Sequence, residues 1–209
     1  MTTHALRTIL LSKRVSMPPS APTTANFCLF PTSLGACGVA WRGSMVIATR
    51  LPDTEPERAE QNLAKRTGGE RGDPPDAIVL AINAMTSLLD GHGTDLGLIA
   101  CDMHIVDPFA RRVYEATRAI PAGQTRTYGS IAKQLGDRQL SRQVGRTLGR
   151  NPFPIIVPCH RVLGTGGKLT GFSAAGGIVT KLKMLEIEGA QIGQGAGLFD
   201  DLPLAVKPQ

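Results

Sequence analysis

Of the four cysteines in the 209 residues, Cys159 stands out: it lies in "NPFPIIVPCHRV", residues 151–162, between a proline and a histidine. A cysteine attacks as its thiolate, and an ordinary thiol with a pKa of about 8.5 is mostly protonated at neutral pH, so a nucleophilic cysteine needs a base or a positive field. His160 and Arg161 stand beside it. Neighbours on an extended strand point to opposite faces, which favours a bridging water over direct contact between Cys159 and His160. Such a histidine needs an acid to orient it, and Glu188, just before Gly189, is the candidate. Taken singly, a cysteine is more often a small buried hydrophobe and a histidine a satisfied polar group. A cysteine hydrolase would use the same three groups and turn over repeatedly.

A second pattern is electrostatic. Arg138, Arg142, Arg146 and Arg150 recur every four residues, a spacing that lines them along one helix and suits phosphate contact. The net charge of +6 is unevenly spread, for residues 107–190 hold thirteen basic against five acidic residues, while 1–106 and 191–209 are each near neutral. A basic domain beside a neutral one fits a polyanion partner, and a solvated basic face explains the charge alone equally well.

The elements that must position these groups follow from the pattern. Residues 1–26 read as a disordered tail, acid-free and rich in Ser, Thr and Pro; they imitate a transit peptide, and a start at Met17 explains them as well. Residues 27–51 suggest an antiparallel meander. "EPERAEQNLAKRTG" and "PPDAIVLAINAMTSLLDGHG" read as helices, the second with Ile78, Ile82, Met85 and Leu89 at core spacing, and a strand is expected near Leu98–Cys101. Asp107 and Pro108 form an N-cap and first-turn proline for a helix carrying Phe109, Val113 and Ala116 inward. Two short helices follow, the second capped at Asp137 and joined to the first by a Gly-containing turn, which is a helix-turn-helix pattern. Residues 155–172 read as strand, "GTGG" turn and strand, in the manner of a wing, with Pro152, Pro154 and Pro158 holding the approach to Cys159 extended. A last helix places Ile178, Leu182 and Leu185 inward and ends at Gly189, and residues 191–209 form a C-terminal tail. No apolar stretch reaches the roughly 20 residues of a membrane span. No CxxC pair and no cleavable signal occur, so cytoplasmic, reduced thiols are expected.

Several of these segments, in order, resemble the methylated-DNA–protein-cysteine alkyltransferases. "PCHRV" after "NPFPII" is similar to their active-site block, "RRVYEATRAIPAGQTRTYGSIA" to the helix and turn leading to a tyrosine (Tyr128), and "SRQVGRTLGRNP" to a recognition helix with an arginine finger (Arg142) and an asparagine hinge (Asn151). "GGKLTGFS" resembles the loop closing over the substrate base and "KLKMLEIEG" the last helix with its glutamate. The likeness covers about 107–190, and more weakly the segment from Cys37.

The resemblance implies an α+β chain: a small mixed, ribonuclease H-like domain at 27–106, then a winged helix-turn-helix domain at 107–190. It implies a single-turnover transfer of the alkyl group from O6-alkylguanine, and from O4-alkylthymine, in double-stranded DNA to Cys159, after the nucleotide is rotated out of the duplex. Arg142 would fill the vacated space, Tyr128 would crowd the 3′ phosphate and protonate the departing base, and Arg138, Arg146 and Arg150 would meet phosphates in a minor-groove approach. The carbonyls of Cys159 and Val162 would accept from the guanine amino group, the loop at Ser173 would donate to O6, Pro154 would border the substrate, and Asn151 would bridge the turn to the recognition helix. The chain departs from the family at Leu140 and Gln143, where alanine is common, and at Ala174 and Ala175, which are extra. Zinc-binding relatives use Cys and His in the first domain, but Cys28, Cys37, His4 and His92 offer no comparable spacing, so no metal and no cofactor are expected, and the protein is expected to act as a monomer. A transcriptional regulator sharing the fold would need a second DNA-reading module, for which the segment before Phe27 is expected to be too short. A non-catalytic lesion binder would lack the cysteine.

Overall fold

The computed structural model describes residues 24–190. The N-terminal half is built on strands β1 (Asn26–Thr32), β2 (Gly35–Arg42) and β3 (Met45–Arg50), an antiparallel meander whose tight turns carry Gly35 and Gly43 at positive φ. A two-residue strand β4 (Glu70–Arg71), too short to announce itself in sequence, pairs parallel with β1 and makes the sheet mixed, in the order β3-β2-β1-β4. The expected tail at 1–26 is too long by two residues, because Ala25 is already buried and Asn26 pairs with Trp41. Residues 1–23 of it, with the alternatives of a transit-like leader or a start at Met17, lie outside the described residues, as does the expected C-terminal tail.

Helix α1 (Pro56–Thr67) buries Ala59 and Leu63 and packs Leu63 against Phe27, Ala40, Ile47 and Ala48 of the sheet. The approach is so close that a Cβ on Gly38 would stand 2.5 Å from Leu63 Cδ1. Helix α2 (Asp76–Leu89) buries Ile78, Met85 and Leu89 as its spacing predicts, with Ile82 half-buried. The expected strand at 98–101 is absent: Leu98 is almost fully exposed, and Cys101 makes a single bridge to Val46.

The C-terminal half opens with α3 (Pro108–Arg118), where Asp107 Oδ1 accepts from Ala110 N at 2.8 Å, as expected of an N-cap. Then come β5 (Arg126–Thr127), α4 (Tyr128–Gln134) and α5 (Ser141–Gly149). Asp137 does cap, but what it caps is a 3-10 turn, Arg138–Leu140, that precedes α5. Tyr114 of α3 donates to the Thr147 carbonyl of α5 at 3.1 Å, which fixes α5 over the core.

The wing is the main departure. Residues 155–172 do not form two paired strands: β6 (Val162–Leu163) pairs in parallel with β5, and after a 3-10 turn at Thr165–Gly167 no second strand follows. The chain does turn back at Gly166 and Gly167, both at positive φ, with Gly164 N donating to the Lys168 carbonyl at 2.8 Å, but β6 pairs with β5 and the returning arm makes no ladder with it. Helix α6 (Ile178–Ile187) closes the fold, with Leu182 and Leu185 buried but Ile178 exposed at its first turn, where no element covers it.

One apolar cluster runs through both halves, from Trp41 and Val46 through Met85 and Val113 to Phe153 and Val157. The edge strand β3 is covered by the loop that leads to Cys159, with Thr49 N donating to the Pro152 carbonyl at 2.9 Å and the Thr49 hydroxyl to the Pro154 carbonyl. The first half therefore holds the loop that carries the cysteine.

Candidate active site and DNA-facing surface

The approach to Cys159 is coiled instead of extended. Asn151, just past α5, accepts from Phe153 N at 2.9 Å and donates its amide to the Val157 carbonyl at 2.8 Å, so one side chain closes the 151–157 turn. Val157 N returns to the Phe153 carbonyl, and Ile155 within this turn is the single non-glycine at positive φ (78°) among the described residues. For a β-branched residue that conformation costs on the order of 1–3 kcal/mol, and complete burial of Ile155 holds it. Pro158, at φ −78° and ψ 68°, then forms an inverse γ-turn with Cys159 N donating to the Val157 carbonyl. Three prolines fix φ but not ψ, which is why their sequence suggested extension and the fold delivered turns.

Cys159, His160 and Arg161 form a 3-10 turn, not a strand. His160 is fully buried, and its Nε2 lies 2.9 Å from Oε1 of Glu188, the residue that caps the C-terminus of α6. The acid expected from sequence is therefore in place. Arg161 adds Nε to Glu188 Oε2 at 2.8 Å and Nη2 to Oε1 at 2.7 Å, and its Nη1 donates to the Ile120 carbonyl. Burial alone would raise the Glu188 carboxyl, but hydrogen bonds from His160 and Arg161 hold it down at about 2. Burial pushes the His160 pKa below the usual imidazole value, so at neutral pH the ring is uncharged, and with Nε2–H donating to Glu188 its Nδ1 carries a free lone pair. That buried Nδ1 meets no protein partner. Burial likewise pushes the Cys159 thiol up, opposed by the Asn151 amide, the Lys181 ammonium and the backbone N–H groups of Cys159 and His160.

Lys181 is a buried charge beside the site that the sequence patterns did not single out. It is fully buried, donates to the Val162 carbonyl at 2.7 Å, and lies 5.8 Å from the Tyr128 ring centroid. Burial lowers its pKa to about 8, against the pull of Cys159. A signal was present: Lys181 precedes Glu188 by seven residues, two helical turns, and so shares its face of α6. Tyr128 is the first residue of α4, behind a capping box in which Thr127 and Ser130 exchange hydrogen bonds, and burial raises its pKa. It packs by Gly145 of α5, where a Cβ would touch the ring at 3.7 Å.

Cys159 lines an open pocket of about 390 Å³ with Asn151, Pro154, Ser173, Ala174 and Ala175. The Ser173 hydroxyl donates to the Gly149 carbonyl at 3.0 Å, tying this loop to the end of α5. Val162 is buried and does not line this pocket, and its carbonyl is engaged by Lys181. Arg142 and Arg146 are exposed on α5, Arg150 is exposed just past its end, and Arg138 is exposed on the preceding 3-10 turn, so the stripe spans two elements instead of one. Among the described residues none of the four is in an ion pair. Gln143 is exposed beside Arg142, and Leu140 is half-buried.

Comparison with known proteins places the chain in one family. The family model described as 6-O-methylguanine DNA methyltransferase, DNA binding domain, matches residues 108–190. A methylated-DNA–protein-cysteine methyltransferase of Mycolicibacterium paratuberculosis is 47% identical over 167 residues, covering 80% of this chain and 94% of that one. The crystal structure of the Mycobacterium tuberculosis O6-methylguanine methyltransferase aligns with a TM-score of 0.66 at 34% identity, over 79% of this chain and 93% of the other. A Mycobacterium tuberculosis OGT in complex with DNA aligns at 0.62 and 34% identity, over 78% and 92%.

Proposed function

The chain belongs to the methylated-DNA–protein-cysteine methyltransferase family, a DNA-binding, DNA-repairing methyltransferase acting on O6-methylguanine, and from that premise we propose that Cys159 is its alkyl acceptor. The observation that carries this reading is a cysteine lining an open pocket and followed in the same 3-10 turn by a histidine in a buried pair with Glu188. The alkylated nucleotide leaves the stack and enters that pocket, with Arg142 in the space it vacates and Arg138, Arg146 and Arg150 on phosphates. The carbonyls of Cys159 and Val162 accept from the guanine amino group, Val162 through the lone pair that Lys181 leaves unused, and the loop at Ser173 donates to O6.

The resting thiol is held protonated by burial, so it is activated on demand. Its proton passes through a water to the free Nδ1 of His160, and Glu188 stabilises the imidazolium that forms. The sulfur bonds to the alkyl carbon while the carbon–O6 bond breaks, its electron pair returns to the base, and the Tyr128 hydroxyl supplies the proton that completes neutral guanine. A thioether has no easy hydrolytic route, so each molecule acts once. O4-alkylthymine presents the same alkyl–oxygen arrangement and is a second substrate. Residues 27–106 act as the scaffold and 107–190 as the transferring unit. Four free thiols fit a reducing cytoplasm, and one chain carries every group named, which fits a monomer. No helix among the described residues is long and apolar enough to cross a membrane.

The test is to incubate the protein with an O6-methylguanine duplex and weigh it intact. A gain of about 14 Da confined to the Cys159 peptide is expected for transfer to the activated thiol. An unchanged mass, or a gain on another cysteine, would refute the assignment.

A further inference from the structure

A second cavity, of about 340 Å³, adjoins the Cys159 pocket, bounded by Arg42 at the end of β2, Arg66 in the last turn of α1, Arg150, Ile47, Val106 and Pro152. Arg66 and Arg150 line both spaces, so the two share a pair of guanidiniums. No carboxylate lines either one, and among the described residues Arg42, Arg66 and Arg150 form no ion pair. Arg42 Nε is sealed from solvent and finds no protein acceptor. Guanidiniums gathered without an acid around an opening suit one ligand chemistry, a phosphate taken by forked N–H donors. Two of the three arginines come from the first half, outside the 108–190 segment that matches the DNA-binding domain.

We propose that this cavity is a phosphate site through which the N-terminal half binds DNA directly, holding a backbone phosphate of the lesion strand next to the nucleotide in the Cys159 pocket. The proposal rests on the repair reading above and gives the first half a role beyond scaffolding. Neutralising one phosphate releases its counterions, so each such contact steepens the dependence of binding on salt.

The experiment titrates a labelled duplex containing O6-methylguanine with the full chain at several salt concentrations, for the wild type, Arg42→Ala, Arg42→Lys and Arg42→Glu. Arg42 does not line the Cys159 pocket, so transfer from free O6-benzylguanine, which has no phosphate, serves as the control for folding and chemistry. The Ala variant should flatten the slope of log K against log salt by about 0.9, the Lys variant should keep most of it, and the Glu variant should bind weakest, all with wild-type transfer from the free base. An unchanged slope in the Ala and Glu variants, or free-base transfer slowed as much as duplex repair, would overturn the phosphate site. Absence of any alkyl uptake by the wild type would instead overturn the repair reading itself.

Discussion

The charged groups around Cys159 and the arginines on and just before α5 exist under opposite conditions. Glu188, Arg161 and Lys181 are buried, and each has a fixed hydrogen-bond partner. Arg138, Arg142 and Arg146 stand in solvent, and none is in an ion pair among the described residues. In the first region desolvation decides which groups are charged, so small changes in partners move protonation states strongly. In the second, water screens each charge and only the sum over several sites matters. Chemistry is confined to the sealed cluster and partner capture to the open face, and substitutions in the two should fail in different ways.

The largest effect is expected in the sealed cluster. Glu188→Gln removes the group that orients and stabilises His160, and transfer to Cys159 should slow by about 10² to 10⁴, followed by intact mass against time. It also leaves Arg161 buried without its carboxylate, a change worth roughly 3–5 kcal/mol of stability by thermal melting. A rate within a few-fold of wild type would break the contrast. The acid limb sharpens it: because the folded Glu188 carboxyl lies near 2 and an unperturbed one near 4.5, its stabilisation is complete above about pH 4.5 and is lost as pH falls towards 2. That is roughly 3 kcal/mol, and the Gln variant should show a correspondingly flatter stability curve across this window in denaturant titrations.

Arg142→Ala comes next. Repair of duplex lesions should fall about tenfold or more because extrusion costs a few kcal/mol, with a smaller loss on the free base. Equal losses on both would remove the finger role. The smallest effects belong to Arg138→Ala and Arg146→Ala, each of which should flatten the salt slope of duplex binding by about 0.9 and leave free-base transfer untouched. A change in Cys159 reactivity in either variant would mean that the two regions are coupled.

Legibility in the sequence follows the same division. The Asp107 cap, the Gly68 and Gly189 helix ends and the β1–β3 meander were readable because each depends on a few adjacent residues. The order of motifs around Cys159 and the partner acid Glu188 were readable too. The wing was not, since glycines mark a turn without saying whether the arms beyond it will pair. The strand expected at 98–101 failed for a related reason: its apolar residues could as well lie in a turn, and Leu98 does.

The linear chain thus determined local matters: which segments coil, where they stop, which residue types lie close enough to cooperate, and that the basic charge collects in one stretch. The packing of distant segments decided the rest. It turned Arg161 onto Glu188, sank Lys181 beneath Tyr128, bent the cysteine loop against the edge of β3, and brought Arg42 and Arg66 beside Arg150. The reason is physical: the ionisation and strength of a polar group depend on how much water the fold removes from it and which partners replace that water, and neither quantity exists until the chain is packed.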